Sequence, residues 1–488
     1  LTSGNTGRSA RYYISDDPGD DPGVGQRAPA KMMLSRRSLL GLVVLTGVAR
    51  PRPAAATDPP RGADYVVGPT GDDDRGNGSL AAPWASLERA YAVALPGDTI
   101  HLRGGSYLLG GGSGIHLTGR SGAPGRSITI RNYRGERPIL DGSRLASTVD
   151  SYGSAEAAGG YVLSLYDVSH LVLRGLEIRN APMGGLVVRS GSLVNGGCHH
   201  NRFENLSVRD SGWGGHEGKG IALFGFARNN VFVNCDSFGN ADLDGGNADG
   251  FQISPVGSGS TGNVLVGCRA WHNSDDGFDL FNVNDNTAPA PLLLYRCWAW
   301  ANGFRPDGAR STGEGHGFKL GGQRDPARGN KTGLSGGHTV SGCASWSNAL
   351  SGFTDSGSAV ASRVSRCTAY DNGRSRDGNG QPADTWTRGF YFPTSAGHRL
   401  IDNVSFLPRG REAVVGPGNA GEGNSWDSGP PVRPTDFLSL ADATATGPRQ
   451  PDGSLPATTF LHSAPGSRLA RSGIGLNGDG EEAGAAWP

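Results

Sequence analysis

Two stretches decide how this chain folds: NVFVNCDSFGN at residues 230–240 and NVLVGCRAWHN at residues 263–273. Each has alternating apolar residues, a cysteine, and a small polar turn ending in asparagine. The same phrase recurs as NRFENLSVRDSG (201–212), LLLYRCWAWANG (292–303), HTVSGCASWSN (338–348) and SRVSRCTAYDNG (362–373). With Leu176, Leu206, Cys235, Cys268, Cys297, Cys343, Cys367 and Asn403 as phase marks, the interval varies from 24 residues (Cys343 to Cys367) to 46 (Cys297 to Cys343). A fixed rung with loops of varying length inserted between rungs is the pattern of a solenoid. Period-two alternation makes its elements strands, and no segment carries the paired helical periods of an ankyrin-like or TPR-like repeat. The predicted fold is all-β: a right-handed parallel β-helix.

A second phrase follows in every coil: GGLV (184–187), KGIA (219–222), DGFQ (249–252), DGFD (276–279), HGFK (316–319), SGFT (351–354) and RGFY (388–391). Side chains alternate across a strand and stacked strands lie about 4.8 Å apart. The third residue of each phrase therefore faces the core and the fourth faces outward, which predicts an outward ladder of Gln252, Asp279, Lys319 and Thr354. Asp249, Asp276 and His316 form a second ladder where the strand begins.

The 81 glycines, about one residue in six, are more than twice the usual share of about 7%, and fit a chain of short strands and turns. Acidic and basic residues balance at 45 each, so no global field draws in nucleic acid and any charge that matters is local. The first methionines are Met32 and Met33, which marks the opening stretch as an upstream extension. KMMLSRRSLLGLVVLTGVARPRPAAA (31–56) then reads as an export signal: basic residues, an apolar run over 39–48, and Ala54 to Ala56 as a cleavage site. Arg36 and Arg37 fit a twin-arginine signal or an ordinary basic leader. Residues 1–56 are expected to be removed, leaving a secreted, monomeric chain from Thr57 with no membrane span.

One domain is expected over 57–488: an N-terminal cap and first coils (57–150), central coils with the active site (151–410) and an irregular C-terminal cover (411–488). Within the first part, PWASLERAYAVALPGDTIHLRGGSY (83–107) predicts a short capping helix opening at Ser86, then a strand. The in-phase cysteines are expected to stack inward as free thiols, since a chain of this size needs no staples. Trp271 and Trp298 are read as core packing before sugar stacking. NADLDG (240–245) resembles half of an EF-hand loop, but Phe251 stands where the closing Glu belongs.

HNSDDGFDLFN (272–282) gathers Asp275, Asp276 and Asp279, and the ladders add Asp249. Like charges this close cannot all stay ionised without a cation. An all-carboxylate donor set suits Ca²⁺ better than zinc or magnesium; the bland reading is a solvated acidic turn. Lys319, one rung beyond Asp279, is either a salt-bridge partner or, beside a bound cation, an amine able to act as a base.

NADGF (247–251), NSDDGFDL (273–280) and GFKLGG (317–322), in this order on a β-helix, resemble polysaccharide lyase family 9, the pectate-lyase-L-like enzymes. The likeness covers roughly 176–403, and YVVGPTGDDDRGNGSLAAPWASLERA (65–90) also resembles the start of such proteins. It implies calcium ligation by Asp249, Asp275, Asp276 and Asp279, proton abstraction by Lys319, and β-elimination on polygalacturonate (pectate). Related β-helix lyases act on rhamnogalacturonan. His316, Arg324, Arg328, Lys331 and Arg388 are candidate contacts for uronate carboxylates, or turn and loop residues. Two other classes remain open. A polygalacturonase-like hydrolase also carries an N-x-D, a D-D and a G-H-G motif, matched here by 247–249, 275–276 and 315–317, but leaves Asp279 and Lys319 without a role. A non-catalytic carbohydrate-binding β-helix shares the ion and has no use for the lysine.

Overall fold

The computed structural model describes residues 62–146, 160–191, 196–215, 218–257, 259–281, 289–305, 307–322, 334–375, 387–407 and 411–471. The proposed export signal, with Arg324, Arg328 and Lys331, lies outside them. Among the described residues three long parallel sheets carry the fold. The chain visits them in turn, as in Leu171–Arg174, Glu177–Arg179 and Gly184–Ser190, before the next coil begins at Arg202–Glu204. The first sheet has twelve strands and the second and third have ten each, so the solenoid predicted from the repeats is the observed architecture.

The repeating phrase holds two strands where the sequence reading saw one. In 230–240, Val231–Val233 belongs to the first sheet and Asp236–Phe238 to the second. Asn234 turns the corner in the left-handed region at φ 54°, and Cys235 points inward behind it. Asparagine tolerates that conformation, and the corner recurs at Asn205, Arg296 and Arg366. All six cysteines are buried and free.

The third sheet is held from inside by a stack of phenylalanines. Phe251, Phe278, Phe318, Phe353 and Phe390 are fully buried, with successive ring centroids 4.8, 4.7, 4.7 and 4.9 Å apart. Each such ring contributes roughly 1.5–3 kcal/mol of burial. The stack fixes the register on which the site depends, because a one-residue slip would turn every ring outward.

At the N-terminal end, Leu87–Tyr91 is the predicted short helix, with the Ser86 hydroxyl accepting from the Arg89 N–H at 3.2 Å. At the other end the structure departs from expectation. Arg411–Val415 and Ala420–Glu422 continue the third and first sheets by one more coil. The segment beyond runs back along the outer face of the second sheet. There Phe437, Leu455, Phe460 and Leu461 cover Trp298, Trp300, Trp346 and Phe406, and Arg449 pairs with Asp236 at 2.6 Å. The tryptophans are thus packed, as expected, but on the outward phase: Trp271, Trp300 and Trp346 stack at 4.6 and 4.9 Å under the returning chain, while Ala270 and Ala299 face the core.

Candidate active site

The site lies where the third-sheet strand of each successive coil begins. The register pairs Gln252 with Asp279, Asp279 with Lys319, and Lys319 with Thr354, the ladder drawn from the sequence. It points away from the core but is not open to solvent. Asp279 and Thr354 are buried and the Lys319 side chain is 13% exposed, because the inserted segment bearing Glu314 lies over it.

The second ladder is held by a repeated hydrogen bond. The Asp276 N–H donates to Asp249 Oδ1 (3.1 Å), the His316 N–H to Asp276 Oδ1 (2.6 Å), and the Ser351 N–H to His316 Nδ1 (3.1 Å). Gly277 is required between Asp276 and Phe278. A Cβ there would stand 2.7 Å from Asn302 Nδ2 and 2.8 Å from the Gly317 carbonyl.

These ladders bring Asp249, Asp276 and Asp279 together, each offering a carboxylate oxygen within 4.8 Å of the others, and all three are buried. Among the described residues Asp275 does not join that set, although all four carboxylates were expected to converge. Its Oδ1 accepts from the Glu314 N–H at 2.6 Å, which turns it toward the inserted segment. Burial pushes the Asp279 carboxyl up to about 8, and burial together with neighbouring carboxylates also raises Asp276 and Asp275. Asp276 Oδ2 is buried without a hydrogen bond, its charge answered by Lys319 Nζ at 3.1 Å. Oxygens around an ion at 2.3–2.6 Å stand at most about 5 Å apart, so the three carboxylates fit a hard cation of calcium size.

Lys319 Nζ also lies 2.8 Å from Glu314 and 3.9 Å from Asp279. Burial alone would lower its pKa, but Asp276, Asp279, Glu314 and Asp275 outweigh it and raise it well above the ordinary lysine value. The lowering expected from the sequence depends on a bound cation; with the carboxylates alone around it, the ammonium is favoured.

Two partners were missed. Lys219, fully enclosed, bonds Asp249 Oδ2 at 2.9 Å and the Asn247 carbonyl at 2.7 Å. The phrase KGIA (219–222) already put it one rung before Asp249, so the signal was present in the repeat. Glu314 had no such signal, since it sits in an insertion outside the ladder. Arg310 delivers it, with its guanidinium donating to the carbonyls of Gly303 (3.0 Å), Gly313 (2.7 Å) and Glu314 (3.3 Å). Of the candidate sugar contacts, His316 is fully buried and serves the ladder, so it is not a surface contact. Arg388 stands two rungs beyond His316 and donates to the Thr387 carbonyl at 2.7 Å. Asp242, in the EF-hand-like stretch, braces a turn by accepting from Ser274 Oγ at 3.0 Å and the Asn247 N–H at 3.3 Å.

The model of the Pel9A-like, right-handed β-helix region matches residues 65–381. The chain belongs to polysaccharide lyase family 9. It is 32% identical over 422 residues to pectate lyase PEL9 of Emericella nidulans, covering 83% of this chain and 94% of that one. It is 31% identical over 421 residues to pectate lyase L of Dickeya dadantii, covering 84% and 85%. Among solved structures, pectate lyase Pel9A superposes with a TM-score of 0.66 at 28% identity, covering 85% of this chain and 92% of that one. A rhamnogalacturonan lyase does so with the same score at 25% identity, covering 85% and all of that chain. The family 9 chain is therefore a polysaccharide lyase, which sets aside the hydrolase and non-catalytic readings. No helix among its described residues is long and apolar enough to cross a membrane.

Proposed function

We propose that this lyase is secreted, requires calcium and cleaves polygalacturonate by β-elimination, with Lys319 as the base. The observation that carries this reading is a lysine in register with, and ion-paired to, a buried cluster of carboxylates. Asp249, Asp276 and Asp279 would hold the ion; Asp275 is kept as the fourth ligand on the sequence pattern rather than on its position. Bound there, calcium supplies the positive charge that neutralises the uronate carboxylate and acidifies the neighbouring C5–H.

Lys319 can take the C5 proton only as the neutral amine, which requires that the carboxylates around it no longer answer to its charge alone. As the C5–H bond breaks, its electron pair forms the C4–C5 double bond and the C4–O4 bond breaks, with O4 leaving to be protonated. Lys219 holds Asp249 in place through their ion pair, and Arg310 holds Glu314 beside the amine. The products are a 4,5-unsaturated uronate and a shortened chain.

The names of the relatives favour pectate, while the rhamnogalacturonan lyase fold match keeps that polymer as a second substrate reading. Purified protein incubated with each polymer, with and without a chelator, separates them. Ultraviolet-absorbing unsaturated product from polygalacturonate, abolished by chelation, is expected. Product from rhamnogalacturonan alone would move the substrate assignment, and full activity after chelation would remove the calcium.

A further inference from the structure

A second cluster of ligating side chains stands on earlier coils, at the corner that leads into the first sheet, away from the carboxylates on the third. We propose that His170, His199 and His200 form a separate site for a borderline divalent transition-metal ion such as zinc. Their ring nitrogens offer one ligand atom each within 4.8 Å of one another, and His199 Nδ1 lies 2.9 Å from His200 Nδ1.

The backbone makes this convergence. His199 ends the short strand Cys198–His199, whose cysteine is buried, so His199 faces outward and the next residue of a regular strand would face in. His200 instead turns the corner at φ 54° and brings its ring to the same side as His199. His170, one coil earlier, has the same conformation at φ 53°, and its N–H donates to the His199 carbonyl at 3.2 Å. The rings of His170 and His200 stack at 5.0 Å, with His199 perpendicular to both.

Imidazole nitrogens bound tetrahedrally at about 2.0–2.1 Å stand roughly 3.4 Å apart, so the stacked rings of His170 and His200 must turn out of parallel to close the site, and His200 is exposed and can turn. Three neutral nitrogens select an ion of the zinc class over calcium, and the fourth position stays open to water. Asn229 Nδ2 lies 3.4 Å from His200 Nε2, and with its amide turned over its oxygen would accept the Nε2–H of a ring that ligates through Nδ1. The ion would cross-link two successive coils near the start of the solenoid. Arg228, the register partner of His199 on the next coil, opposes it by charge.

Untagged full-length protein is titrated with zinc against a chromogenic chelator in excess calcium. One calcium-insensitive equivalent is expected, lost in both His199→Gln and His200→Ala, retained in Asp279→Ala, and bound more tightly in Arg228→Gln. His200→Ala is the informative variant if His199→Gln folds poorly, because residue 200 is exposed. No uptake, uptake unchanged in the histidine variants, or uptake lost in Asp279→Ala would each overturn the site.

Discussion

Two stacks of polar side chains run up the same coils, and they solve the same problem with different chemistry. On the asparagine stack, Asn240, Asn273, Asn302, Asn348 and Asn372 are buried. Each Nδ2 donates to the next Oδ1 at 2.8, 2.9, 2.9 and 2.9 Å. Beside it runs the stack of Lys219, Asp249, Asp276 and His316. An amide both donates and accepts, so asparagines repeated in register satisfy one another. An ionised carboxylate only accepts. Once the next coil's N–H has used one oxygen of Asp276, the other is answered by the Lys319 ammonium at 3.1 Å. The first stack can repeat indefinitely and bind nothing; the second cannot close without cations. The binding site is the place where the self-sufficient stack gives way to one that is incomplete.

The largest effect should come from the cation that closes it in this structure. Lys319→Ala is expected to lower kcat by at least about 10²–10⁴-fold, the usual contribution of a positioned base. Lys319→Arg should not restore it, because a guanidinium does not give up its proton. Initial rates of unsaturated product, read beside a calcium titration, make the check. Substantial turnover in either variant would reduce Lys319 to a counter-ion for Asp276 and Glu314.

Asp276→Asn makes the acidic stack resemble its neighbour. The Oδ1 acceptor for the His316 N–H survives, the charge is lost, and Lys319 keeps Glu314 at 2.8 Å. The variant should fold, lose activity, and lose most of its stabilisation by calcium, which for a bound ion at a hundred times Kd is about 2.7 kcal/mol. The pH dependence sharpens the contrast. Asp275, Asp276 and Asp279 have folded pKa values raised above the unfolded ones, so between the two values the folded state binds more protons. Stability of the metal-free wild type should therefore fall as pH rises from the ordinary aspartate range to about 8, the folded value of Asp279. Lys319, whose folded value is also raised, changes stability in the same direction, but only as pH rises from the ordinary lysine range toward its folded value, above that window. Melting temperatures across this range, with and without calcium, should show a slope that calcium removes and Asp276→Asn makes shallower. A flat metal-free profile in the wild type would contradict the raised carboxyls.

The solenoid and both ladders were legible because a strict repeat turns spacing into geometry. Once Phe251, Phe278 and Phe318 are in phase, so are Gln252, Asp279 and Lys319. What the repeat does not carry was not legible. Glu314 arrives on an insertion shaped by Arg310, and the segment after residue 422 finds its place by covering aromatic side chains that the repeat leaves exposed. Burial was misjudged at Lys319 and His316 for the same reason: phase says which way a side chain points, not what lies over it. Lys219 was legible too, because KGIA (219–222) sets a lysine one rung before Asp249, where a buried carboxylate needs a counter-charge.

The smallest effect tests whether the two stacks are independent. Asn302 is buried, accepts from Asn273 Nδ2 at 2.9 Å, and donates to Asn348 Oδ1 at 2.9 Å and the Ala270 carbonyl at 3.2 Å. Asn302→Ala strips partners from all three without adding charge, and leaving buried polar groups unpaired costs about 1–3 kcal/mol. The loss should appear as a lower denaturant midpoint with an unchanged slope, since the fold that unfolds is the same. Below the shifted transition, kcat and calcium affinity should match the wild type, because Asn302 donates nothing to the carboxylates. One route between the stacks is Gly277, which packs against Asn302 Nδ2 and adjoins Asp276. If Asn302→Ala weakened calcium binding in step with stability, coupling through that glycine would follow, and the neutral stack would be part of the site rather than the frame beside it.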